Sequence, residues 1–155
     1  MYIITKRCIV RPFVEMDIED FSQYRNNIEW MKFQGFKCRS FEEYKQVLLR
    51  KPNFKEGCQL AIINQSTNKL IGDLFIQQTD SKFWIGYTIS PEYARKGYIF
   101  EVLSTMIRYI KIIGGETIMA DVDCDNIPSK ALLLKLNFEL FKTSGEEEIY
   151  CLNLE

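Results

Sequence analysis

The chain has 155 residues, 46% hydrophobic and 26% charged, and its 20 basic and 21 acidic side chains give a net charge of −1. This composition predicts one globular domain, residues 1–155, and excludes a disordered chain. The near-neutral balance argues against a nucleic-acid binder that relies on a general positive field. The chain has no histidine, which excludes Ser-His-Asp and Cys-His catalysis and histidine-based zinc and iron sites.

The cysteines and the apolar segments predict a soluble cytoplasmic protein without a membrane anchor. The five cysteines are odd in number and none has the CxxC spacing, which is typical of reduced thiols. The N-terminal segment carries charge from Lys6 onward, unlike a secretory signal peptide. No apolar run approaches the ~18–20 residues that cross a bilayer.

The first predicted elements are a strand and two helices. Charged and apolar residues alternate over 5–13 (TKRCIVRPF), as in a half-buried strand. Asp17 is expected to be the N-cap of an amphipathic helix, because apolar residues follow at helical spacing. A second helix is expected after Ser40, which forms the capping-box pattern with Glu43.

The rest of the chain predicts a mixed α/β sheet. Three strands separated by short polar connections are expected at 59–63, 70–77 and 83–90. A long helix with an apolar stripe follows the basic loop at 92–97 and ends at Gly114-Gly115. The remaining predicted elements are a strand at 117–123, a short helix at 129–137 and a closing hairpin of 138–142 with 149–154. This order makes the sheet antiparallel in its first half, with one strand–helix–strand crossover.

The loop Arg95-Lys96-Gly97 is a candidate anion site. It joins a strand to a helix, so unpaired backbone amides and the positive helix end face one position, which suits a phosphate or pyrophosphate. The loop lacks both GxxxxGK[ST] and GxGxxG, so nucleoside-triphosphate and dinucleotide fingerprints do not fit. A solvated helix start is the alternative interpretation.

The run at 85–98 (IGYTISPEYARKGY) resembles motif A of the GNAT superfamily of acyl-CoA-dependent N-acyltransferases. In that motif a strand ends in V/I-x-P, and [Q/R]-x-x-G-x-[G/A] opens a helix. Ile89, Pro91 and Gly97 match the pattern. Two positions depart from it, since Ala94 stands where Gln or Arg is usual and Ile99 where Gly or Ala is usual.

Further segments are similar to the ribosomal-protein N-terminal (Rim-type) acetyltransferase branch. They are RCIVRP at 7–12, the I-G pairs at 71–72 and 85–86, GYIFE at 97–101, and DNIPS at 125–129 with KLNF at 135–138. The segments occur in the order of that branch over about residues 5–140. The resemblance implies the GNAT fold, a central and mostly antiparallel sheet flanked by helices.

The resemblance also implies where acetyl-CoA would bind as cosubstrate, with no metal. The pantetheine arm would lie between the strands at 83–90 and 117–123 and pair with backbone groups of 87–89. Amides of 95–99 would hold the pyrophosphate, Asn126 would bind the pantetheine, and Ser129 would lie near the sulfur or the pyrophosphate arm. The implied cofactor-binding residues are Tyr87, Thr88, Ile89, Arg95, Lys96, Gly97, Tyr98, Ile99, Asn126 and Ser129.

Catalytic groups are less clearly indicated. The family's frequent tyrosine, seven residues after the asparagine, is Leu133 here, and its frequent glutamate before I-G-Y is Trp84. Ser129 is the candidate catalytic residue, as proton donor to the leaving thiolate, with water as the alternative. No general base is identified, and Glu29, Asp73 and water all remain open.

Other segments have competing interpretations. The stretch 121–126 (DVDCDN) resembles the start of a calcium loop, but it lacks the glycine and the distal glutamate, so a strand end is favoured. Cys124 lacks any histidine partner and is interpreted as a packing thiol. Residues 146–148 (EEE) form either a solvated turn or an acidic group that attracts a cationic substrate. Glu101 is expected to support its helix start or to pair with Arg95.

The aromatic residues between the first two helices also have two interpretations. They occupy the region where the family has acceptor-substrate loops, and helix packing explains them as well: Trp30, Phe33 and Phe36.

The expected function is acetyl transfer from acetyl-CoA to a primary amine, by direct attack on the thioester. The amine would be a protein N-terminus, as the branch resemblance suggests, or a small polyamine or aminoglycoside-like molecule. The alternative is an acyl-CoA sensor or pseudoenzyme of the same fold without turnover. Nucleic-acid and membrane partners are not expected, and the oligomeric state, including a homodimer, is left open.

Overall fold

The computed structural model describes residues 1–154, in which one mixed eight-stranded sheet is flanked by four α-helices. The strands are β1 (Ile3–Ile4), β2 (Cys8–Arg11), β3 (Cys58–Asn64), β4 (Lys69–Thr79), β5 (Lys82–Ile89), β6 (Thr117–Asp123), β7 (Glu139–Ser144) and β8 (Glu147–Asn153). The helices are α1 (Ile18–Arg25), α2 (Phe41–Leu48), α3 (Tyr98–Ile112) and α4 (Ile127–Lys135). The predicted mixed α/β class is confirmed.

The sheet divides at one junction. The strand order is β1-β2-β3-β4-β5-β6-β8-β7, and within the described residues every neighbouring pair is antiparallel except β5 with β6. That parallel pair is connected by α3, as parallel neighbours require a crossover. It holds only three residue pairs, joining 82–84 to 117–119. Beyond them β5 and β6 part, and we call the resulting opening the fork.

Two apolar clusters pack on opposite faces of the sheet. On one face α3 inserts the buried residues Val102, Met106 and Ile110 among apolar side chains of the strands, as its predicted apolar stripe requires. On the other face α1 and α2 meet through Phe21 and Tyr44, whose ring centroids are 5.1 Å apart in an edge-to-face arrangement. The sheet is thereby covered on both sides, and the fork lies between the layers.

The helix starts show which capping predictions the structure bears out. Ser40 Oγ accepts a hydrogen bond from the Glu43 amide at 3.2 Å, and the Glu43 carboxylate accepts one from the Ser40 amide, so the predicted capping box is confirmed. Asp17 makes no side-chain cap. Its carboxylate instead accepts hydrogen bonds from Arg11 at 2.7 Å and from the Val14 amide at 2.9 Å, because the ion pair holds it on the turn before α1.

The ends of the chain differ most from the expected boundaries. The expected strand 5–13 is shorter, because a turn closed by the Thr5 amide and the Cys8 carbonyl at 2.9 Å separates β2 from the unpredicted strand β1. The expected helix 129–137 begins earlier, at Ile127, where Asn126 is the N-cap and its side chain accepts from the Ser129 amide. The closing hairpin is present, with its turn at Gly145 and Glu146.

Candidate active site

Two adjoining cavities occupy the fork. The larger one, about 600 Å³, lies between the end of β5, the loop before α3, α4 and the segment 29–34. The smaller one, about 250 Å³, lies between β5, β6 and the start of β8. Both cavities are lined by Tyr87, Asn126 and Ser129, which therefore stand at the junction between them.

The structure brings most of the expected cosubstrate residues to the larger cavity. Those that line it are Tyr87, Thr88, Ile89, Arg95, Gly97, Tyr98, Ile99, Asn126 and Ser129. Lys96 does not line the cavity and is exposed. Ile99, which departs from the family's small residue, is 9% exposed and packs into the core with the rest of α3, although part of it reaches the cavity.

The loop before α3 has the geometry of an anion-binding turn. Arg95 and Gly97 both lie in the left-handed region, with φ of +62° and +79°. Among the described residues no backbone carbonyl accepts the amides of 95–97, and the first amides of α3 add to them as unpaired donors. These amides and the positive end of a 15-residue helix favour a phosphate at the mouth of the cavity.

Glu101 anchors this helix start to the N-terminal strands. Its carboxylate accepts hydrogen bonds from Thr5 Oγ1 at 2.5 Å, from the Arg7 amide at 2.8 Å and from Arg7 Nε at 2.7 Å. The expected pairing with Arg95 is therefore wrong, because the first turn of α3 directs Glu101 toward β2. Burial opposes ionisation of Glu101, but the hydrogen bonds from Thr5 and Arg7 outweigh it and lower its pKa. The Arg7 guanidinium also lies 4.0 Å from the centre of the Tyr98 ring.

A hydroxyl pair marks the junction of the two cavities. Tyr87 Oη and Ser129 Oγ are 2.6 Å apart, and either atom can be the donor. Burial raises the pKa of Tyr87 to about 12, against the smaller opposing effect of its hydrogen bond with Ser129. The phenol therefore stays protonated at neutral pH.

The segment after α1 covers part of the larger cavity. Trp30 donates its indole N–H to the carbonyl of Ile89 at 2.8 Å, on the edge of β5 that faces the fork. Phe33 lines both cavities, whereas Phe36 packs against Phe21 and Tyr44 in the core. Of the three aromatic residues with two interpretations, Trp30 and Phe33 therefore lie at the site and Phe36 belongs to helix packing.

The two cavities have opposite electrostatic character. The larger one is lined by three cationic side chains and one carboxylate: Lys32, Arg95, Lys135 and Glu29. Among its described residues the smaller one is lined by carboxylates and by no lysine or arginine: Asp121, Asp123 and Glu147. Burial raises the pKa of Glu147, and the charges of Asp121, Asp123 and Glu146 raise it further.

The sequence already offered 146–148 as an attraction for a cationic substrate, but it did not place Glu147 beside Asp121 and Asp123, because the pairing of β6 with β8 creates that group. Asp123 lies directly opposite Glu147 in that register. The alternating aspartates at 121 and 123 and the acidic run at 146–148 were the available signals, but nothing in the sequence set them side by side. Because the two segments lie far apart in the sequence, their contact is not apparent from the sequence alone.

The other candidate groups occupy different places. Asp73 is 1% exposed, paired with Arg25 at 2.6 Å and hydrogen-bonded by Tyr24, so it lies in the interior and lines neither cavity. Leu133 is fully buried in the core. Trp84 pairs with Met119 at the base of the fork and lines neither cavity.

The acidic stretch at the end of β6 is more open. Oxygen and sulfur atoms of Asp123, Cys124 and Asp125 lie within 4.8 Å of one another. The Asp123 carboxylate accepts the Asp125 amide at 2.9 Å, as in an ordinary turn after a strand. Burial and the neighbouring carboxylates raise the pKa of the Cys124 thiol, which fits a protonated thiol and not a nucleophile.

Comparison with known proteins agrees with this arrangement of sheet, loop and fork. Residues 7–139 match the acetyltransferase (GNAT) domain family. The chain therefore belongs to the GNAT family of acetyltransferases, as its motifs predict.

One curated relative supports the family assignment, and solved structures share the fold. The chain is 30% identical over 145 residues to the uncharacterized N-acetyltransferase YoaA of Bacillus subtilis (strain 168), covering 87% of this chain and 81% of that protein. A GNAT-family acetyltransferase from Bacillus anthracis superposes with a TM-score of 0.88 at 20% identity, over 99% of both chains. RimL, a ribosomal L7/L12 alpha-N-protein acetyltransferase solved in complex with coenzyme A, superposes with a TM-score of 0.84 at 16% identity, over 99% of this chain and 98% of RimL.

Within residues 1–154, no helix has the length and apolar character needed to span a membrane.

Proposed function

We propose that this chain transfers the acetyl group of acetyl-CoA to a primary amine by direct attack on the thioester. The observation that carries the proposal is the meeting of two cavities of opposite charge at Tyr87 and Ser129. An anionic cosubstrate would fill the larger cavity and a cationic acceptor the smaller one, so the thioester and the amine would meet at the junction. Both the proximity of the reactants and their orientation then favour reaction.

The larger cavity fits acetyl-CoA. The amides of 95–99 and the cationic Arg95 and Lys135 supply the donors and charge that a pyrophosphate needs. The edge of β5 at 87–89 supplies backbone groups for the pantetheine arm. Trp30 already holds the Ile89 carbonyl, so an arm that pairs with Ile89 would exchange one hydrogen bond for another. RimL, which has the same fold, was solved in complex with coenzyme A, and this supports coenzyme A as the type of ligand.

The smaller cavity fits a positively charged amine. Its carboxylates attract an ammonium group, and Glu147 has the raised pKa that makes a carboxylate a better proton acceptor near neutral pH. Glu147 would therefore take the proton that the amine must lose before it attacks. A protein N-terminus, a polyamine and an aminoglycoside-like amine all satisfy this electrostatic requirement.

The bond changes balance without an enzyme-bound acyl group. After Glu147 has passed the first amine proton on to solvent, the neutral amine nitrogen attacks the thioester carbonyl, a C–N bond forms, and the C–S bond breaks with departure of the CoA thiolate. The proton that the nitrogen loses as the amide forms passes to Glu147 or to water, and the thiolate takes a proton from the Ser129 side of the junction. The products are the acetylated amine and the free thiol of CoA.

A second candidate function is an acyl-CoA sensor without turnover. Three observations favour it, since Leu133 lies in the core, Trp84 lies outside the cavities and Trp30 already occupies the Ile89 carbonyl. The common feature of the two candidates is acetyl-CoA binding, and they differ in thiol release.

Thiol release from acetyl-CoA, measured with a panel of amines, separates the two candidates. The panel would contain peptides with free N-termini, polyamines and aminoglycosides, with matched N-acetylated compounds as controls. Release with at least one free amine and none with its acetylated form is expected. Thermal stabilisation by acetyl-CoA without release on any amine would favour the sensor, and the absence of both effects would contradict both candidates.

A further inference from the structure

The phenol of Tyr87 lies at the junction of the two cavities, and the family resemblance assigns only the backbone of this residue a role. Resting on the function proposed above, we propose that the Tyr87 side chain is a positioning residue. It donates a hydrogen bond to Ser129 Oγ and so directs the Ser129 hydroxyl at the leaving sulfur. Ser129 would then touch the reacting atoms, and Tyr87 would act through it.

The geometry sets the direction of this hydrogen-bonded chain. The two hydroxyl oxygens are 2.6 Å apart, whereas the other acceptor near the phenol, the Ser129 carbonyl, is 3.5 Å away and at the limit of a hydrogen bond. A thiolate only accepts hydrogen bonds. When it forms beside Ser129, the serine proton must point to it, and the phenol proton must then point to the serine oxygen.

The surroundings make this hydrogen bond effective. Tyr87 is half-buried beside α4 and packs against the apolar cluster on the α3 face. Its proton stays in place at neutral pH, because burial holds its pKa at about 12. Hydrogen bonds in a desolvated site are stronger than those in water, so a donor behind Ser129 strengthens the bond from Ser129 to the sulfur.

The arrangement also explains how the site manages without a tyrosine at position 133. Leu133 on α4 is fully buried in the core and carries no hydroxyl. Tyr87 reaches Ser129 from the opposite wall of the fork, on β5. A phenol is thus present at the junction, but it arrives from a strand and not from the helix.

In the transfer step the C–S bond breaks as the C–N bond forms, and the electron pair of the C–S bond stays on sulfur. The Ser129 hydroxyl donates a hydrogen bond to that sulfur, and the Tyr87 phenol, which keeps its own proton, donates one to Ser129 Oγ. The thiolate then takes a proton from solvent, which balances the proton lost by the amine. The net reaction remains an amine and a thioester giving an amide and a thiol.

The test compares Tyr87→Phe, Ser129→Ala and the double variant with the intact protein, and Tyr109→Phe serves as a control on the far part of α3. Binding of CoA and thermal stability without ligand are measured first and are expected to stay within about twofold and within a few degrees. With an active amine, kcat is expected to fall about tenfold or more in Tyr87→Phe while KM for acetyl-CoA changes little. The double variant should be no slower than Ser129→Ala, because the phenol acts through the serine.

A second readout requires no turnover. The pKa of the thiol of bound CoA is obtained from its rate of alkylation against pH. A donor to the thiolate favours the charged form, so this pKa is expected to be about one unit higher in Tyr87→Phe and in Ser129→Ala than in the intact protein and in Tyr109→Phe.

The outcomes separate this inference from the proposed function. If no amine is acetylated but the thiol pKa differs as expected, acetyl transfer fails and the Tyr87 role stands. If amines are acetylated and Tyr87→Phe changes neither kcat nor the thiol pKa, the Tyr87 role is overturned and acetyl transfer stands. Additive losses in the double variant, or failure of the intact protein to bind CoA, would also overturn the inference.

Discussion

At the first turn of α3, Gly97 has φ of +79° and precedes amides that face the larger cavity. A β-carbon there would meet only Arg7 Nη2, at the ordinary contact distance of 3.5 Å. The need for glycine is therefore a matter of backbone conformation, since other L-residues pay about 1–2 kcal/mol in the left-handed region. The orientation of the loop amides proposed to hold the phosphates depends on this torsion angle together with that of Arg95.

Replacing Gly97 by alanine is expected to weaken CoA binding about tenfold, because relief of the strain turns the loop amides away from the phosphate. Isothermal titration with CoA measures the affinity. Gly114→Ala is the matched control, since Gly114 also has a positive φ, of +98°, and no atom within 4 Å of an added β-carbon. It should lose stability but keep its CoA affinity, and unchanged affinity in Gly97→Ala would show that the loop does not hold the phosphates.

Residues were predictable where a local pattern determines their role. The capping box of Ser40 and Glu43 depends on four consecutive residues, and the structure confirms it. Asp17 occupies its predicted N-cap position, but its side chain pairs with Arg11 and does not cap the helix. Glu101 supports the start of α3, one of its two expected roles, but its partner is Arg7 and not Arg95. Local sequence cannot show competition from such partners.

At the scale of elements, the segment 26–37 between α1 and α2 is the part of the site whose contact with β5 a bound ligand would disturb most directly. It contacts the fork through Trp30, whose indole bonds the Ile89 carbonyl at 2.8 Å, and Trp30 is 39% exposed. An extended ligand that pairs with the edge of β5 competes for the same carbonyl. We therefore expect a ligand in the larger cavity to displace Trp30 and the segment that carries it.

Tryptophan emission can report this movement, since the chain has two tryptophans, Trp30 and Trp84. In Trp84→Phe, addition of CoA is expected to change the emission of Trp30, because its indole leaves one hydrogen-bonded environment for another. In Trp30→Phe the emission of Trp84 at the base of the fork should stay nearly constant. Constant emission in Trp84→Phe at saturating CoA would show that the indole keeps its bond to Ile89.

Most elements follow from periodicity and turn residues, but their pairing does not. The strands from β3 to β6 lie within two residues of their predicted bounds, and α3 has its predicted apolar face. The two-residue strand β1 is too short to show alternation. The register of β6 with β8 brings the carboxylates of the smaller cavity together, and it is set by contacts between distant segments that no local pattern encodes.

At the scale of the whole molecule, a buried polar network joins the helix layer to the sheet. Arg25 on α1 pairs with Asp73 on β4 at 2.6 Å and donates to Thr88 on β5 at 3.2 Å, and Tyr24 also donates to Asp73. Burial and the charge of Asp73 raise the pKa of Tyr24, which keeps it a donor. Because the Arg25 and Asp73 side chains are 5% and 1% exposed, loss of one partner leaves a charge without compensation.

Asp73→Asn is expected to lower the free energy of unfolding by about 3–5 kcal/mol, because the Arg25 charge stays buried without its carboxylate. Urea denaturation followed by circular dichroism measures the change. Glu15→Gln, which removes the exposed ion pair with Lys45, should leave the midpoint almost unchanged. Equal midpoints for Asp73→Asn and the intact chain would show that the network contributes little to the fold.

The weak junction of β5 with β6 also divides the chain along its length. Strands β1 to β5 come from residues before 90 and strands β6 to β8 from residues after 116, with α3 as the covalent connection. The sheet is thus two contiguous segments of chain held edge to edge by three residue pairs. A molecule bound in the fork contacts both segments and adds to the cohesion between them, so occupancy of the fork and resistance to unfolding are thermodynamically linked.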